Sequence, residues 1–126
     1  MEEIRNEEIK SLVGAEPEEL AAAIAEVLDN KKAKDVKVIK VGDKTVIADY
    51  FVLANGNSST QVRALADEVE YRLSQAGVDT LRSDGGSGSS WRVLDYACVI
   101  VHVFDREARE FYKLDKLYTE FNFDEE

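Results

Sequence analysis

Cys98 to Phe104 read CVIVHVF, the strongest strand signal in the chain. β-branched and aromatic residues dominate the run. Alternation puts Val99, Val101 and Val103 on one face and Cys98, Ile100, His102 and Phe104 on the other. Both faces are largely apolar, so the segment is expected at the centre of a sheet. Immediately before it, Trp91 to Asp95 reads as another strand. There Trp91, Val93 and Asp95 point one way, and Arg92, Leu94 and Tyr96 the other. Immediately after it, Asp105 caps a final helix running to about Tyr118.

Further out the pattern continues. Tyr50 to Ala54 is a continuous apolar run, as in a strand buried on both faces, and Asn55-Gly56-Asn57 breaks it. Ser58 or Ser59 then caps a helix to about Ala76, with Val62, Leu65, Ala66, Val69 and Leu73 at helical spacing. Gly77 suits the left-handed cap that stops it. Thr80 to Arg82 reads as a short strand, and Ser83 to Ser90 (SDGGSGSS) as a flexible connector. Upstream, Val36 to Val41 reads as a strand. A first helix starts at Pro17, carries Leu20, Ile24, Val27 and Leu28 on one stripe, and stops at Asp29-Asn30. The order is helix, strand, strand, helix, three strands, helix. It predicts a single-domain α/β fold, a mixed β-sheet flanked by helices. The domain is expected over 16–120, between an acidic extension at 1–15 and an acidic tail at 121–126. Ile9, Leu12 and Val13 suit one helical face as well as they suit a frayed extension.

The 126 residues fit one domain, and 44% hydrophobic content argues against disorder. No apolar run nears the roughly 20 residues of a membrane span, and the acidic start MEEIRNEEIK lacks signal-peptide character. A single cysteine excludes an internal disulfide framework, and the chain reads as cytoplasmic. The net charge of -10 argues against a protein held mainly by phosphate contacts. That charge is uneven: Met1 to Asp29 is acidic, whereas Asn30 to Lys44 holds Lys31, Lys32, Lys34, Lys37, Lys40 and Lys44 against Asp35 and Asp43.

Catalytic constellations are sparse. Cys98 and His102 fall on one strand face, but four residues of strand separate them by roughly 13 Å, far beyond the reach of a working dyad. On that apolar face His102 is expected to bond a backbone carbonyl, a hydroxyl or a carboxylate. One cysteine and one histidine cannot build a structural zinc site. Asp67, Glu68 and Glu70 read as a solvated helix face. The turn Gly56-Asn57-Ser58-Ser59 opens a helix, as a phosphate cradle does, yet no lysine stands where a P-loop needs one. Trp91, Tyr96, Phe111, Tyr112 and Tyr118, set among acids, are the residue types that dominate protein interfaces.

Three segments carry a family resemblance. ADYFVLANGNSSTQVRALADEVE (Ala48 to Glu70) and WRVLDYACVIVHVFDREAREFYKLDKLY (Trp91 to Tyr118) resemble the two signatures of the ribosomal silencing factors, the Iojap-like family. EPEELAAAIAEVLDNKKAKDV (Glu16 to Val36) is similar to that family's opening helix and lysine-containing turn. The resemblance implies a nucleotidyltransferase-like fold without catalytic residues and with no cofactor. It implies binding to the large ribosomal subunit through ribosomal protein L-fourteen, on the face where the small subunit docks. Joining is then blocked and translation repressed, notably in starvation or stationary phase. Members are often homodimers when free. Carried onto this chain, the second signature makes Trp91, Leu94, Asp95, Tyr96, Asp105, Glu107 and Arg109 the expected partner-binding residues. The basic stretch from Asn30 to Lys44 is where a minor rRNA contact is expected.

One departure stands out. Family members usually read Asp-Tyr-Gly-Asp where this chain has Asp95-Tyr96-Ala97-Cys98. The alternative reading is a degenerate nucleotidyltransferase-like enzyme that uses the Gly56 to Ser59 turn as its cradle. It would need metal-binding carboxylates beside that turn, and Asp49 is the only acid shortly before it.

Overall fold

In a computed structural model the chain forms α1 (Pro17–Asn30), β1 (Lys34–Lys40), β2 (Tyr50–Gly56), α2 (Ser59–Gln75), β3 (Arg82–Asp84), β4 (Trp91–Asp95), β5 (Val99–Asp105) and α3 (Arg106–Tyr112). The structure describes residues 11–43, 45–85 and 90–112, with backbone only for 110–112. The strand order is β1-β2-β5-β4-β3. β2 and β5 run parallel, and the other neighbouring pairs are antiparallel. The sheet is therefore mixed, with β5 at its centre, as its two apolar faces demand.

α1 and α2 pack on one face. Their apolar stripes, Leu20, Ile24 and Leu28 with Val62, Leu65, Val69 and Leu73, meet Val52, Leu94, Val99, Val101 and Val103 in one buried cluster. A second cluster forms on the opposite face from Ile39, Val41, Phe51, Leu53, Ile100, Phe104 and Ala108, the last contributed by α3. Trp91 and Val93 pack against this second cluster while keeping part of their surface in solvent.

Both long helices stop the same way. Val78 N donates to Leu73 O across Gly77, whose φ is 92°. Ala33 N donates to Leu28 O across Lys32, whose φ is 69°. Each is a left-handed helix stop of the Schellman kind. Glycine takes that backbone freely, and at Gly77 an added Cβ would also lie 2.6 Å from Val13 Cγ2. Lysine at position 32 takes it at a cost of about 1 kcal/mol.

Three elements differ from the sequence expectation. The short strand lies at Arg82–Asp84 rather than Thr80 to Arg82. Arg92 draws Ser83 and Asp84 out of the connector: its guanidinium donates to Ser83 Oγ at 3.1 Å and its Nε to Asp84 O at 3.2 Å. β1 starts at Lys34, two residues early, through an irregularity between Lys34 and Lys37. β2 continues past Ala54 through Gly56, because Asn55 and Gly56 still pair with Phe104 and Asp105. The continuation of the last helix toward Tyr118, and the extension and tail at either end, lie outside the described residues.

Candidate docking face

The C-terminal ends of the parallel pair β2 and β5 mark one end of the sheet, and both α2 and α3 begin there. Ser58 Oγ accepts from Gln61 N and fixes the start of α2. Asp105 Oδ1 accepts from Ala108 N at 2.8 Å and fixes the start of α3. Trp91 opens β4 at the same end, opposite Phe104.

Around Trp91 the rings form a cluster. Trp91 lies 5.2 Å from Phe104 and 5.8 Å from His102, centroid to centroid, and Phe51 meets His102 edge-on at 4.8 Å. The Trp91 indole Nε1 donates to His102 Nδ1 at 3.1 Å. The partner of His102 is thus an indole rather than a carbonyl, hydroxyl or carboxylate. An apolar strand face could hide this donor because Trp91 lies on a different strand. Burial holds the His102 pKa down at about 4, so the ring is neutral at physiological pH. With Nδ1 accepting, the proton sits on Nε2, which is buried and has no hydrogen-bond partner.

Beside this cluster a polar brace ties α3 to the other edge of the sheet. Arg109 Nη1 donates to Asn55 Oδ1 at 2.8 Å and to the Asp35 carbonyl at 2.9 Å. Asn55 Nδ2 in turn donates to Asp35 Oδ2 at 3.3 Å. Sequence reading missed Asn55 and Asp35. Asn55 reads as a strand breaker, whereas it is a buried strand residue whose amide is satisfied by the brace.

The seven residues expected to meet a partner divide by strand alternation. Trp91 and Asp95 lie on the face away from α1 and α2, both half-buried. Glu107 is exposed in the first turn of α3, and Asp105 and Arg109 are half-buried beside it. Leu94 is fully buried, and Tyr96 is 6% exposed within the α1–α2 core. Those two sit in the core and back the strand from beneath. The side chains of Phe111 and Tyr112 and the whole of Tyr118 lie outside the described residues.

The Cys98 geometry also differs from expectation. Cys98 sits in the β4–β5 turn and packs toward the helix-side core, while His102 lies on the other face. Ala97 bears φ +74°, and Cys98 N donates to Tyr96 O across it. Burial pushes the Cys98 thiol up, away from a reactive thiolate.

Two amides at the turn read as a phosphate cradle are engaged internally: Asn57 N donates to Gln61 Oε1, and Gln61 N, in the first turn of α2, to Ser58 Oγ. Asp49 stands at the opposite end of β2, which spans roughly 20 Å at strand rise, so it cannot serve that turn.

The family "Ribosomal silencing factor during starvation" matches residues 14–126. This chain belongs to the ribosomal silencing factor family. It is 34% identical over 101 residues to the ribosomal silencing factor of Halalkalibacterium halodurans, covering 80% of this chain and 86% of that one. It is 33% identical over 94 residues to that of Bacillus subtilis, covering 75% and 80%. A crystal structure of a Chromobacterium violaceum protein superposes with a TM-score of 0.79 at 32% identity, covering 82% of this chain and 87% of that one. Ribosomal silencing factors are non-enzymatic regulators of translation that associate with the ribosome's large subunit, so the enzyme alternative is set aside. No helix among the described residues is long and apolar enough to cross a membrane.

Proposed function

We propose that this protein docks on ribosomal protein L-fourteen of the large subunit and keeps the small subunit from joining. The observation that carries the reading is Trp91, half-buried on the sheet face away from α1 and α2, with Asp95 on its strand and Asp105 and Glu107 where α3 begins. A large aromatic ring with a partly wet edge, on a surface that also carries carboxylates, suits a basic protein surface. The overall charge of -10 favours approach to such a surface and speeds encounter. The block itself is steric: a folded body on the joining face excludes the other subunit without breaking any bond.

The proposed contact set is Trp91, Asp95, Asp105 and Glu107, with Arg109 bracing α3 and Leu94 and Tyr96 holding β4 from beneath. We extend the reading to a cytoplasmic protein that acts when nutrients run short, that is homodimeric when free, and whose fold descends from the nucleotidyltransferase type. Sedimentation of mixed ribosomal subunits tests the central claim. With the protein in excess, the subunits stay separate and the protein travels with the large one. Full joining at saturating protein would overturn it.

A further inference from the structure

One row of paired residues crosses the sheet. Lys34 on β1 pairs with Asn55 on β2, Asn55 with Phe104 on β5, and Phe104 with Trp91 on β4. Three inter-strand steps put Lys34 and Trp91 roughly 14 Å apart. The lysine-containing turn and the Trp91 face therefore share one end of the molecule, within the span of a single footprint.

The lysines of this chain are not equivalent. Lys40 lines a cleft with Glu16, Glu18, Asp43 and Asp49, so acids surround its charge. Lys44 lies outside the described residues. Lys31, Lys32 and Lys34 are all exposed, and they follow one another through the α1–β1 turn. Lys32, at φ 69°, and Asp35, at φ 52°, hold left-handed backbone on either side of Lys34. Neither is glycine, so the turn keeps charged side chains at positions that cost about 1 kcal/mol each. Asp35, the one acid within the turn, gives its carboxylate to Asn55 and its carbonyl to Arg109. Asp35 is exposed as well, and the three exposed lysines outnumber it and leave the turn net positive.

We propose that Lys31, Lys32 and Lys34 contact phosphates of ribosomal RNA beside the protein that Trp91 engages, and that the Arg109–Asn55–Asp35 brace sets their position relative to Trp91. The proposal rests on the large-subunit docking reading above. A segregated basic turn on an otherwise acidic protein favours a polyanion over a second basic protein. Compact ammonium groups act as point charges on phosphates and read no sequence.

The test is binding to purified large subunits across a salt series, with K31E/K32E/K34E, W91A and wild type, together with hydroxyl-radical footprinting of the rRNA. Three lost phosphate contacts should flatten the slope of log affinity against log salt by about 2 to 3, with at least about tenfold weaker binding at low salt. W91A should weaken binding while keeping the wild-type slope. Wild type should protect a stretch of rRNA backbone that the triple variant leaves open. An unchanged slope overturns the proposal. A changed slope with no rRNA protection assigns the lysines to an acidic protein and also overturns it. Failure of wild type to bind large subunits at all overturns the docking reading and, with it, this one.

Discussion

Trp91 donates its indole hydrogen to His102 Nδ1 from the neighbouring strand, which makes the only histidine a support for the most exposed ring of the cluster. Protonating Nδ1 would set two donors against each other in a buried site. Burial alone brings the His102 pKa from 6.5 down to about 4. Between those values the unfolded chain holds a proton that the folded chain does not. Stability from this group is complete above about pH 6.5 and is lost as the pH falls toward 4. Acidification from pH 7.5 to 5 should cost about 2 kcal/mol through His102 alone. Denaturant titrations at both pH values, on wild type and His102→Phe, measure it as the difference between their acid losses. Equal losses would refute the assignment.

Ala97 occupies a left-handed turn position at φ +74°, backbone that glycine takes without strain. The turn is otherwise well tied, with Asp95 Oδ1 accepting from Ala97 N at 2.8 Å and Tyr96 N donating to Val99 O. Ala97→Gly should therefore relieve strain and stabilise by about 0.5 to 1 kcal/mol, after the added freedom of the unfolded chain is subtracted. Thermal unfolding of the two proteins decides it, and a lower midpoint for the glycine variant would count against the strain.

Tyr96 poses the opposite case. Its hydroxyl is buried without a hydrogen-bond partner, and burial with the nearby Glu70 and Asp79 carboxylates raises its pKa well above the ordinary phenol value. An unpaired buried hydroxyl weighs against the fold. Tyr96→Phe should leave stability unchanged or raise it by up to about 1 kcal/mol. A loss above that size in denaturant unfolding would mean that the hydroxyl has a role in the folded protein.

Strand alternation made most of the fold legible. The two faces of β5 and of β4 follow directly from Val-Ile-Val-His-Val-Phe and Trp-Arg-Val-Leu-Asp, and Ser58 and Gly77 bound α2 as their chemistry requires. Alternation alone also showed that Leu94 and Tyr96 oppose Trp91, although the motif groups all three. What stayed hidden depended on contacts between distant segments. The brace joins positions 35, 55 and 109, and no local pattern links them. The shift of β3 to Arg82–Asp84 depends on Arg92 reaching back across the connector. Cys98 left its expected strand face because Ala97 turns the backbone left-handed, which alternation cannot register.

Leu94 and Trp91 sit three residues apart in one motif and should fail in different ways. Leu94 is fully buried beneath α1 and α2, so Leu94→Ala removes core volume and should cost about 2 to 5 kcal/mol of folding stability. Trp91 keeps part of its surface in solvent on the other face, so Trp91→Ala should cost less stability but about 2 kcal/mol or more of large-subunit binding. Unfolding curves and subunit pull-downs on both variants separate the two. Binding at wild-type strength by folded Trp91→Ala would remove that ring from the interface. A folded Leu94→Ala that loses binding as completely would show that the face depends on its backing as much as on its surface.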